Sequence, residues 1–199
     1  MTASAIQTTQ HDSREDLLLI IDFQNIYLPG QEWACPTIEQ SMANVHRIVS
    51  APAAPDYVLT QYIASDDPVG SWKNYNEAYA AINADPYLCA LSDGIRDLAS
   101  EKNVIVKDTY SSLKSPQILE RLKGKKRVVL SGVVAECCIL ATMMDAIDLG
   151  YEVIYLHDCI SGMTPENERS IRFLAESFVP IHTQVMSAGE YIRSGGNRQ

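Results

Sequence analysis

Residues 17–22 read LLLIID, a continuous apolar run closed by a carboxylate. Such a run marks a strand buried on both faces of a parallel sheet, and its C-terminal end is where such sheets open onto a site. The pattern returns at 57–63 (YVLTQYI), at 104–106 running into Lys107, at 127–134 (RVVLSGVV), at 151–156 and at 179–184. Between these runs lie helical stretches: 38–49, 116–122 with Ser115 as N-cap, 136–149, 165–177 and 188–193. Gly150 closes the third of these, since glycine readily takes the positive φ wanted just past a helix end. Strands alternating with helices predict the α/β class: a three-layer α/β/α sandwich around a mainly parallel, six-stranded, Rossmann-like sheet. The long connection 66–87 is polar but carries Trp72, Tyr75, Tyr79 and Tyr87. It reads as a functional loop or as an excursion with a short helix.

At 199 residues the chain can bury one sizeable core, and a single domain is expected over 17–194. The polar residues 1–16 read as a frayed lead-in and 195–199 as a flexible tail. A net charge of -9, with no basic stripe beyond the cluster at 123–127, argues against a nucleic-acid partner. Apolar runs well short of the roughly 20 residues that cross a bilayer argue against a membrane one. Five cysteines, an odd number without CxxC spacing, point to reduced thiols and a cytoplasmic location. A normal bridge between the adjacent Cys137 and Cys138 is disfavoured by geometry.

Three chemically capable side chains fall at strand ends: Asp22, Lys107 and Cys138. Singly each has an ordinary reading, as a turn residue, a snorkelling lysine and a small packed thiol. Together they compose a nucleophile, a general acid-base and a cation. A thiol in the first turn of a helix feels the positive end of the macrodipole, and a nearby ammonium lowers its pKa further. Asp22 can accept the thiol proton and return it to a leaving group, while backbone amides at the helix start face a developing oxyanion.

These segments resemble the isochorismatase-like cysteine hydrolases, a family that includes nicotinamidases, N-carbamoylsarcosine amidases and other small amide hydrolases. LLLIIDFQNIYLPG is similar to the family's strand-one motif, VIVKDTYSSL to its lysine motif and GVVAECCILATMMDAIDLGYEVIYLHDC to its nucleophile motif. The resemblance implies Asp22 as acid-base, Lys107 as charge stabiliser and Cys138, not Cys137, as nucleophile. It also implies a cis peptide between Val133 and Val134 and an oxyanion hole from the amides of Val134 and Cys138. Many nicotinamidases hold a metal on an aspartate and two histidines after strand two. The corresponding TQYIASDDPVGSW has no histidine, and His11, His46, His157 and His182 lack ligand spacing, so neither metal nor cofactor is expected.

Phe23, Gln24 and Asn25, just beyond Asp22, are expected to line the site floor or to form only a turn, with Gln24 a candidate to orient the carboxylate. Trp33, Trp72, Tyr75, Tyr79 and Tyr110 read as an aromatic pocket wall or as subunit contacts. Asp66, Asp67 and Glu77 read as a solvated loop or as partners of a cationic substrate group. The leading expectation is hydrolysis of a C–N bond in a small amide, carbamoyl or lactam compound by a homodimer or homotetramer. Hydrolysis of a vinyl ether with Asp22 as general acid, and a non-catalytic interaction protein that keeps the fold, are the alternatives.

Overall fold

The computed structural model describes residues 12–195, so the expectations for residues 1–11 and 196–199 lie outside the described residues. Six parallel strands, β1 (Asp16–Ile21), β2 (Asp56–Tyr62), β3 (Val104–Lys107), β4 (Arg127–Gly132), β5 (Glu152–Ile160) and β6 (Thr183–Met186), form one sheet in the order β3-β2-β1-β4-β5-β6. β1 lies at its centre, buried along its whole length. Its alternate residues face opposite layers, as the strand period of two requires. Leu18 and Ile20 pack into one apolar cluster with Ile38, Val45 and Ile48 of α1 (Ile38–Val49). Leu17, Leu19 and Ile21 pack into the other, with Ile118, Met143 and Ile171.

Four short helices follow β2: α2 (Trp72–Ala78), α3 (Ala80–Asn83), α4 (Pro86–Cys89) and α5 (Asp93–Arg96). The aromatic connection is therefore mostly helical. Beyond β3, α6 (Pro116–Arg121) and α7 (Leu140–Asp148) cover the second face together with α8 (Pro165–Ser177), and α9 (Ala188–Gly195) joins α1 on the first. Gly150 has φ +86° just past the C-cap Leu149, the helix stop expected from its position.

Several boundaries differ from expectation. The lead-in was expected to reach residue 16, yet Asp16 opens β1 fully buried, its carboxylate 2.5 Å from Arg127 Nε and 2.6 Å from the hydroxyl of Tyr191. A buried ion pair with a second donor holds this end of the chain. The last strand starts at Thr183 rather than 179. Pro180 cannot donate to a ladder and Ile181 is 78% exposed, so 179–182 form a turn whose apolar residues mimic a strand. β5 continues past residue 156 to Ile160, with a register shift between the Leu130 and Gly132 pairings that accommodates the half-buried His157 and Asp158.

Candidate active site

At the C-terminal edge of the sheet the chain brings together three elements that are remote in sequence. Asp22 follows β1 at φ +54°, a left-handed conformation that aspartate tolerates better than most side chains. This turn aims its carboxylate across the top of the sheet. β4 ends at Gly132, with φ +116°, where a Cβ would stand 2.1 Å from the carbonyl oxygen of Ile21. Glycine is needed there for β4 to close on β1, so that the Val133 amide donates to that same oxygen at 2.9 Å. The Val133–Val134 peptide is cis. The chain then enters a widened π-type turn, Ala135–Ile139, in which the Ile139 amide donates to Val134 O, before α7 begins. The helix expected from residue 136 is thus α-helical only from Leu140, and Cys138 sits inside the wide turn.

Lys107, the last residue of β3, connects the other two. Its Nζ lies 2.6 Å from Asp22 Oδ2 and 3.5 Å from Cys138 Sγ, and it donates to Thr109 O at 2.9 Å. The Lys107 side chain is 2% exposed and that of Asp22 is fully buried. Thr60 Oγ1 donates to Asp22 Oδ1 at 2.7 Å, leaving Oδ2 to face the lysine and the thiol. Burial works against the lysine's charge, but the adjacent Asp22 carboxylate and the Cys138 sulfur outweigh it and hold the Lys107 pKa above its ordinary value. Burial pushes the Cys138 thiol well up. Lys107 pulls it down by less, and Asp22 adds to the rise. Lys107 thus acts on the thiol in the sense expected of it, lowering its pKa, but burial outweighs that effect.

Cys138 and Val134 open onto a cavity of about 340 Å³. Trp33, Tyr75, Tyr79 and Tyr110 line it, together with Cys137 and with Tyr27, Glu32 and Met163, which the sequence did not mark. Cys137 and Cys138 both line the cavity, although the resemblance implies only Cys138 as nucleophile. Cys138 is 4% exposed at the floor and Cys137 is half-buried beside it. All five thiols are free.

Four residues expected at the substrate lie elsewhere. Phe23 is wholly within the core cluster of α1. The Gln24 amide donates to Tyr62 O and Cys89 O and accepts from Tyr62 N, which ties the end of β2 to α4 rather than orienting Asp22. Asn25 likewise holds Tyr87 O. Trp72 stands behind the wall, its ring 4.8 Å from Tyr110 and 5.2 Å from Tyr75. Asp66, Asp67 and Glu77 are exposed and line no part of this cavity. A second groove, of about 460 Å³, runs past Asp66, Val106 and Gln117 on the outer side of β3, and Cys138 does not open into it.

Among the described residues no three His, Cys, Asp or Glu side chains converge as metal ligands. The stretch after β2 offers no histidine to the metal that many nicotinamidases carry. No helix among the described residues is long and apolar enough to cross a membrane.

An α/β sheet of this order, with acid, cation and thiol gathered at its C-terminal edge, defines a class of parallel-sheet proteins with a preformed pocket over a buried cysteine. The chain belongs to the isochorismatase family: the model of the isochorismatase domain matches residues 16–184. It is 26% identical over 158 residues to the isochorismatase family protein YddQ of Bacillus subtilis, covering 77% of this chain and 82% of that protein. A cysteine hydrolase from Pseudomonas syringae pv. phaseolicola 1448A superimposes with a TM-score of 0.81 at 15% identity, over 98% of this chain and 99% of the other. The N-carbamoylsarcosine amidase of Thermoplasma acidophilum has the same fold, with a TM-score of 0.65 at 19% identity over 87% of this chain and 96% of that one.

Proposed function

We propose that the protein is a cysteine-dependent hydrolase of a C–N bond in a small amide, carbamoyl or lactam compound. The observation that carries this reading is the Lys107 ammonium placed between Asp22 Oδ2 and Cys138 Sγ, directly beneath the cavity. The Cys138 thiol passes its proton to Asp22 as sulfur attacks the substrate carbonyl carbon, and Lys107 balances the negative charge throughout. The tetrahedral oxyanion is received by the amides of Val134 and Cys138. Asp22 protonates the nitrogen, the C–N bond breaks and the amine departs, leaving a thioester. Asp22 then takes a proton from water, whose oxygen attacks the thioester. Collapse releases the acid, and the sulfur recovers its proton.

An amidase among its structural neighbours and the retention of Cys138 support this reading over vinyl-ether hydrolysis, which needs only the acid. Ammonia release across a panel of small amides, by the natural protein and by Cys138→Ala, tests it. Activity that survives the substitution on the same substrate contradicts it.

A further inference from the structure

The cavity wall carries a chemical bias that the triad does not explain. Beside the sulfur-bearing turn it presents five aromatic rings, Tyr27, Trp33, Tyr75, Tyr79 and Tyr110, and one charged side chain, Glu32. Neighbouring rings are tilted or edge-on to one another, with Tyr75 and Tyr79 4.8 Å apart at 58° and Trp33 and Tyr79 5.0 Å apart at 83°. Rings of differing orientation therefore border the same space. Among the described residues no intramolecular hydrogen bond engages the hydroxyls of Tyr27, Tyr75, Tyr79 or Tyr110. No arginine, lysine or histidine lines this cavity, and the nearby Lys107 is engaged by Asp22, Cys138 and Thr109. An anionic substrate would meet no counter-charge at this wall.

We infer that the substrate's non-reacting end is an alkylated ammonium group, held against the aromatic wall with Glu32 as its counter-ion. This inference rests on the reading of Cys138 as an amide-cleaving nucleophile. Electron-rich ring faces attract cations, and a methylated ammonium surrenders little hydration and needs no acceptor for an N–H, so it suits a wall built of rings better than a primary amine does. The net charge of -9 would draw such a substrate toward the protein. A neutral aromatic amide would use the rings equally well but would leave Glu32 without a role.

Two isosteric amides separate these cases: trimethylammonioacetamide, which is cationic, and 3,3-dimethylbutanamide, in which carbon replaces the charged nitrogen. Calorimetric binding to Cys138→Ala, which cannot turn either over through the thiol, is expected to be at least about tenfold tighter for the cationic compound. Adding Glu32→Gln should narrow that gap by at least about threefold. Equal affinity, preference for the neutral isostere, or no binding of either compound overturns the inference. The catalytic reading is scored separately, by acylation of Cys138 in the natural protein. A clear cation preference in Cys138→Ala with no acyl transfer in the natural protein would leave the cation site standing and remove the amidase assignment.

Discussion

Thr60 Oγ1 donates to Asp22 Oδ1 at 2.7 Å, and both residues are wholly buried. The hydroxyl fixes one oxygen of the carboxylate, so that proton transfer to and from the thiol falls to the other, which faces Lys107. Thr60→Val removes the donor without changing side-chain volume much and leaves Oδ1 unpaired in the interior, a loss of about 1–3 kcal/mol in stability. We expect kcat/KM on a small amide to fall by roughly 10- to 100-fold, as when a positioning contact slackens by a fraction of an ångström. Thr60→Ser should keep most of the activity. Equal activity in the valine and serine variants would show that the contact does not orient Asp22.

Asp22 and Lys107 shift the pKa of the Cys138 thiol in opposite senses, the carboxylate upward and the ammonium downward. Removing the carboxylate's charge in Asp22→Asn leaves the thiol beside an unbalanced ammonium, so iodoacetamide should alkylate Cys138 faster at neutral pH than in the natural protein, although turnover is lost. Lys107→Met should slow alkylation. The folded state also holds the thiol and ammonium protons more firmly than the unfolded chain. Stability should therefore decline as pH rises above about 8.5, where an unfolded thiol ionises. Slower alkylation of Asp22→Asn would contradict this ordering of charges.

Gly132→Ala places a methyl group against the backbone oxygen of Ile21 at a positive φ. Neither strand can yield without opening the centre of the sheet. We expect a loss of more than about 3 kcal/mol in denaturant unfolding, or failure to accumulate as folded protein. An unchanged unfolding midpoint would mean that β1 and β4 can separate without cost to the core.

The sequence displayed most of the fold because each buried strand is a local apolar run and each major helix a local repeat. Asp22, Lys107 and Cys138 were visible for a similar reason: all three sit where such runs end, and a parallel sheet gathers its strand ends on one edge. What escaped was set by contacts between distant segments. Thr60 looks like any strand threonine until β2 pairs with β1, and Tyr27 and Glu32 reach the cavity from the β1–α1 connection and Met163 from the β5–α8 connection, with no periodic signal. Gln24 and Trp72 have the chemistry of pocket residues, but their partners are backbone carbonyls and other rings. Val179 and Ile181 imitate a strand because exposed turn residues are free to be apolar.

The arrangement into a homodimer or homotetramer remains a proposal, supported by the large apolar side chains left exposed at Val106, Phe173 and Ile181. Light scattering at micromolar concentration should give at least twice the mass of the 199-residue chain. A monomer mass would remove the proposal.

A thioester on Cys138 would be visible to intact-protein and peptide mass spectrometry. With an amide substrate whose acyl group deacylates slowly, the peptide holding Cys137 and Cys138 should gain the mass of the acyl group without the amine. Hydroxylamine should remove it. The adduct should persist in Cys137→Ala and vanish in Cys138→Ala. An adduct retained in Cys138→Ala, or undiminished turnover by that variant, would contradict the account.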